Sequence, residues 1–91
     1  MIKTKLHPGV FLRRILSEHG ISQSRLARHL GVQIAVINQI CNQKRGISAA
    51  MAIKLSSALG TSPEFWINLQ TAYDLGRAGS VPRVRPLIRA A

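Results

Sequence analysis

Apolar positions along the chain recur at three- and four-residue intervals, broken by short polar stretches that carry turn residues. That spacing predicts helices, and no alternating run bounded by a hairpin turn predicts a strand. His7-Pro8-Gly9 opens the first helix, with Pro8 suited to the first turn. Phe11, Leu12, Ile15 and Leu16 form its inner stripe, Arg13 and Arg14 face away, and Gly20 ends it. Ser22 caps a second helix predicted from Gln23 to Leu30, with Leu26, Ala27 and Leu30 inward and Gly31 as its stop. A third helix is predicted from about Gln33 to Cys41, with Val32, Ile37 and Ile40 turned to the core. The segment 42–46 is a polar, basic turn, after which Ser48 caps a fourth helix running from Ala49 to Leu59. Its inner positions are Met51, Ala52, Leu55 and Leu59, and Gly60 stops it. Ser62-Pro63-Glu64 then combines an N-cap, a first-turn proline and an acid at the positive end of the helix dipole. The fifth helix is predicted from Pro63 to about Leu75 and carries Phe65, Trp66, Leu69 and Tyr73.

Five helices joined by short loops predict a compact all-α domain over residues 1–76. Beyond it, residues 77–91 combine glycine, proline and four arginines and are expected to form an irregular basic tail. The whole chain has 91 residues, enough for one domain. Its longest uninterrupted apolar run, Ala49–Ile53, is far short of the roughly 18 residues of a membrane span. One cysteine excludes an internal disulfide, so a cytoplasmic setting is expected.

Charge changes the picture most. Thirteen Lys and Arg stand against three Asp and Glu, a net charge of +10. A polyanion is the first partner to expect, and nucleic acid before membrane. Removing the tail arginines, Arg77, Arg83, Arg85 and Arg89, still leaves a basic body.

Residues 23–42, QSRLARHLGVQIAVINQICN, bring two short helices together at Gly31. Ala27 is small enough for a close helix crossing, Gly31 accepts the positive φ of a tight turn, and Leu26, Leu30, Val32, Ile37 and Ile40 fall where buried aliphatics would set the angle. This spacing resembles the helix-turn-helix of the phage-repressor-like (XRE) family, the lambda-repressor-like DNA-binding fold. The resemblance implies that the third helix enters the major groove. Gln33, Ile34, Ala35, Asn38 and Gln39 would then face base edges, the amides reaching adenine and the aliphatics a thymine methyl. Gln23 matches a position that touches phosphate, and Lys44 and Arg45 follow the reading helix as a phosphate clamp.

Longer strings narrow the family. His7-Pro8-Gly9, the stretch Gln43-Lys44-Arg45-Gly46-Ile47-Ser48, and above all Ser62-Pro63-Glu64-Phe65-Trp66-Ile67-Asn68-Leu69-Gln70 are similar to HigA-type antitoxins. The family more often has Gly where this chain has Gln43. The resemblance covers about residues 7–75 and implies a homodimer that binds a palindrome upstream of its own operon. It also implies a small protein partner, an mRNA-cleaving toxin of the HigB/RelE type. With so few acids, the toxin contact is expected to be apolar rather than ionic. Phe65, Trp66, Leu69 and Tyr73 concentrate the aromatic content on the last helix, the expected dimerisation surface.

Catalysis finds no support: Glu18, Glu64 and Asp74 are scattered, and His7, His19, His29 and Cys41 lack the paired spacing of a metal site. No cofactor is expected. Two other readings stay open at this point: a repressor with no toxin partner, and a charge-driven RNA- or nucleoid-coating protein.

Overall fold

The computed structural model describes residues 6–88. Five helices follow one another: α1 (Pro8–Glu18), α2 (Gln23–Leu30), α3 (Ile34–Cys41), α4 (Ala49–Leu59) and α5 (Pro63–Arg77). There is no strand among the described residues. Four helix starts are closed by a side chain that accepts an otherwise unpartnered backbone N–H: His7 from Gly9, Ser22 from Arg25, Ser48 from Met51 and Ser62 from Phe65. Two bounds differ from those expected. Helix α3 starts at Ile34 because Gln33 keeps an extended backbone (φ −71°, ψ 144°) and serves as its N-cap without a side-chain hydrogen bond. Helix α5 runs on to Arg77, whose guanidinium sits 5.5 Å from the centre of the Tyr73 ring and supplies a cation to the last turn.

The core draws on every helix: Leu12 and Leu16, Leu26 and Ala27, Ile37 and Ile40, Met51, Ala52 and Leu55, and Trp66. Helix α3 packs on α1 and α2, while α5 packs on α1 and α4. Trp66 corrects an expectation. It is 0% exposed, and its indole N–H donates to Thr61 Oγ1 at 2.7 Å. A side chain so enclosed packs the monomer and offers nothing to a second subunit.

One loop residue is strained. Gln43 adopts φ +63°, a left-handed conformation that L side chains other than Asn and Asp seldom take. The turn it closes is well bonded: Gln43 N–H reaches Ile40 O at 3.0 Å and Lys44 N–H reaches Gln39 O at 2.8 Å. Gln43→Gly is therefore expected to stabilise the protein by about 0.5–1 kcal/mol, since glycine takes this conformation without steric cost. Urea unfolding with an unchanged slope and a higher midpoint would show it; a lower midpoint would mean that the Gln43 side chain contributes more than its backbone costs.

After Arg77 the described chain forms neither helix nor strand, and Val81, Val84, Leu87 and Ile88 all lie exposed. Arg89, counted with the basic tail, falls outside the described residues.

Candidate nucleic-acid interface

The α2–α3 corner is built from the turn outward. Gly31 takes φ +72° and closes α2; Val32 N–H then donates to Ala27 O at 3.0 Å, satisfying a carbonyl the helix leaves open. Ala27 is buried at this corner, and Leu26, Ile37 and Ile40 lie beneath it. The close approach of two short helices thus rests on one small side chain and one left-handed glycine.

This packing leaves the front of α3 in solvent. Gln33, Ile34, Ala35 and Asn38 are exposed, Ile34 to 53%, and Gln39 is half-buried. Val36 turns inward against the core. Ile34 lies outside the core cluster with half its surface in solvent, so it is available for an apolar contact.

The amides on this face hold one another. Asn38 Nδ2 donates to Gln23 Oε1 at 3.2 Å, bringing the start of α2 to the middle of α3. Asn42 Nδ2 donates to Asn38 Oδ1 at 3.1 Å, one helical turn away. Arg13 Nη2, from α1, approaches Asn42 Oδ1 at 3.5 Å. On the other flank, Arg45 Nε donates to Gln39 Oε1 at 2.8 Å. The structure therefore brings the sequence-picked residues Gln23, Gln39, Asn38 and Arg45 into two short chains on one surface. Lys44 is exposed beside them, as are Arg25 and Arg28 on α2. Sequence reasoning missed Arg13 and Asn42 here. The four-residue spacing of Asn38 and Asn42 could have signalled the second; nothing local could have signalled Arg13.

Behind this surface, the loop carrying Lys44 and Arg45 is tied to the core. Ile47 N–H donates to Gln70 Oε1 at 2.7 Å, and Gln70 Nε2 donates to Asp74 Oδ1 at 2.9 Å. His7 is buried beneath the same loop, edge-on to Tyr73 with ring centres 4.8 Å apart, and its Nδ1 accepts from Gly9 N–H at 2.9 Å. Burial lowers the His7 pKa below 6.5, assisted by Arg77; Asp74 and a hydrogen bond to the Arg45 backbone oppose that shift without reversing it. The unfolded chain therefore binds this proton more readily than the native one, so stability falls as pH drops below about 6.5 and continues to fall until the native pKa is passed. His7→Asn keeps a capping side chain and removes the titration. Its melting temperature is expected to fall less than that of the wild type between pH 7 and 5; parallel curves would exclude His7 as the cause.

Of the residues expected at a dimer surface, Phe65 is 37% exposed, lying edge-on to Phe11 and to Trp66. Leu69 is half-buried against the core and Tyr73 half-buried against His7. Cys41 is buried and burial raises its thiol pKa, the behaviour of a packed side chain. Among the described residues no three His, Cys, Asp or Glu side chains gather as a metal site requires, and no helix is long and apolar enough to cross a membrane.

The sequence model of the helix-turn-helix family matches residues 12–66, which span Leu12 of α1 to Trp66 of α5. Antitoxin HigA-1 of Vibrio cholerae is 40% identical over 79 residues, covering 82% of this chain and 74% of that protein. The chain belongs to the HigA-type helix-turn-helix family. Two solved structures extend the likeness. Pseudomonas aeruginosa antitoxin HigA with the higBA promoter superposes with a TM-score of 0.79 at 46% identity, covering 82% of this chain and 83% of that one. Antitoxin GraA in complex with its operator superposes with a TM-score of 0.79 at 43% identity, covering 94% and 97%. This HigA-type chain accordingly has the five-helix fold of a family of DNA-binding antitoxins, not of enzymes.

Proposed function

We propose that this HigA-type protein is a homodimeric repressor of its own operon and the antitoxin of a small HigB/RelE-type mRNA-cleaving toxin in the cytoplasm. The observation that carries the DNA half is the front of α3: an exposed row of Gln33, Ile34, Ala35 and Asn38, with Gln39 beside it, on a fold whose relatives stand on promoter and operator DNA. In this reading α3 lies in the major groove. Asn38 and Gln39 read base edges, Ile34 and Ala35 press on thymine methyls, and Gln23, Lys44 and Arg45 hold phosphates. Because few base hydrogen bonds are available to one subunit, two half-sites about 34 Å apart on one face of a palindrome supply the specificity. Phe65, Leu69 and Tyr73 on α5 contribute to the subunit contact, without Trp66. Residues 1–76 form the DNA-binding and dimerisation domain, and residues 77–91 add positive charge.

The toxin half is supported by family membership. A protein of net charge +10 attracts a basic RNase poorly, so an apolar contact carries that complex. A tagged pull-down from the native host at low and high salt, each with and without nuclease, tests it. A small protein retained in fixed ratio supports the antitoxin role. Recovery of nucleic acid alone, released by salt, reduces the function to a repressor; equal affinity for palindromic and scrambled DNA removes the repressor role as well.

A further inference from the structure

The amide chain on α3 has a direction, and one residue sets it. An asparagine or glutamine amide can turn end for end, exchanging donor and acceptor, so a chain of amides alone runs equally well either way. A guanidinium has donors only. Arg13 Nη2 faces Asn42, and its charge draws the Asn42 oxygen toward it at 3.5 Å. The Asn42 Nδ2 group must then point to Asn38 Oδ1, at 3.1 Å, and Asn38 Nδ2 to Gln23 Oε1, at 3.2 Å. Two things follow from this order. Gln23 keeps its NH2 group for an outside acceptor, as a phosphate contact requires. Asn38 keeps one N–H and one lone pair in fixed places, the pattern that adenine N6–H and N7 complement. Reversal would present Gln23 Oε1 to the phosphate and exchange donor for acceptor on Asn38.

We propose that Arg13 is a positioning residue for operator readout, which through Asn42 fixes the amide polarity of Asn38 and Gln23. Arg13 lies on α1, outside the helix-turn-helix, and it sets specificity without touching the base that Asn38 reads. The inference rests on the reading of α3 as the operator-reading helix.

The test uses the full chain and three variants at this exposed position: Arg13→Met, Arg13→Lys and Arg13→Gln. In the DNA-free protein, the side-chain amide resonances of Asn42 and Asn38 are followed by 15N NMR. They are expected to shift in Arg13→Met and Arg13→Gln and to return toward wild-type positions in Arg13→Lys, which keeps a donor-only cation. Unmoved resonances in Arg13→Met overturn the relay, whatever the DNA result. Each protein is then used to select duplexes from a randomised library, with Asn38→Ala marking the base pairs that Asn38 reads. Arg13→Met is expected to lose about tenfold discrimination at those pairs and little elsewhere. Arg13→Lys is expected to restore it, and adding Arg13→Met to Asn38→Ala to cost no more there. Uniform weakening on every duplex, with a lower salt dependence, would make Arg13 a phosphate contact and overturn the proposal. If the wild type selects no duplex, the operator reading itself fails, and the NMR result alone then decides whether the relay exists.

Discussion

Gly9→Ala is expected to destabilise the protein by about 3 kcal/mol or more, the upper end of what overpacking a core costs. Ordinarily the change would help, since alanine in a helix is favoured over glycine by roughly 1 kcal/mol. Here the added methyl would fall on the Ile40 carbonyl oxygen in the last turn of α3, with the His7 ring on its other side. The obstacle is backbone, which cannot rotate aside. Relief requires α1 to lift from α3, opening the seam where Leu12, Ile37 and Ile40 are wholly buried. Lifting also pulls on the His7 cap, which accepts the Gly9 N–H itself. For a domain of this size the loss amounts to a melting temperature lower by more than about 10 °C. A melting temperature within a degree or two of wild type would show that the α1–α3 seam yields without cost.

Much of the architecture was legible because its signals are local. Ser22, Ser48 and Ser62 announce helix starts three residues ahead of the N–H they accept, and Gly31 and Gly60 stop helices in the left-handed conformation that glycine allows. The helix-turn-helix was legible for the same reason: Ala27, Gly31 and the aliphatics around them lie within one short stretch. The place of Trp66 is not legible, because an aromatic residue on a last helix buries its ring equally well inside a monomer or between two; only the packing of α4 and α1 around α5 decides. In the sequence Gly9 reads as part of a helix start, whereas what demands glycine there is a carbonyl 31 positions further on. Gln70, which anchors the loop before α4 through the Ile47 N–H, had no local mark at all. On the front of α3, the exposed amides are legible as residues and illegible as a network, since Arg13 joins Asn42 across 29 positions.

The proposed operator complex makes its sharpest demand on Lys44 and Arg45. Both side chains are exposed in the loop after α3, so their removal is expected to leave the unfolding free energy within about 0.5 kcal/mol of wild type. Binding is another matter. If each side chain holds one phosphate, a dimer of the double variant Lys44→Ala/Arg45→Ala loses four contacts. The slope of log affinity against log salt should then become shallower by about 3–4, with affinity down by roughly 10³-fold at 0.1 M salt. The two single variants should differ in kind. Unlike Arg45, Lys44 meets Gln39 only through its backbone, which alanine keeps, so Lys44→Ala weakens all duplexes alike and flattens the slope by about one per subunit. Arg45 also donates Nε–H to Gln39 at 2.8 Å, which leaves the Gln39 NH2 group directed outward. Arg45→Ala should therefore both flatten the slope and relax preference at the base pair nearest Gln39. Arg45→Lys should recover the slope and not the preference, because an ammonium lacks the fork that serves an amide and a phosphate together. An unchanged slope in the double variant would place the phosphates elsewhere, with Arg25 and Arg28 on α2 as the next residues to remove.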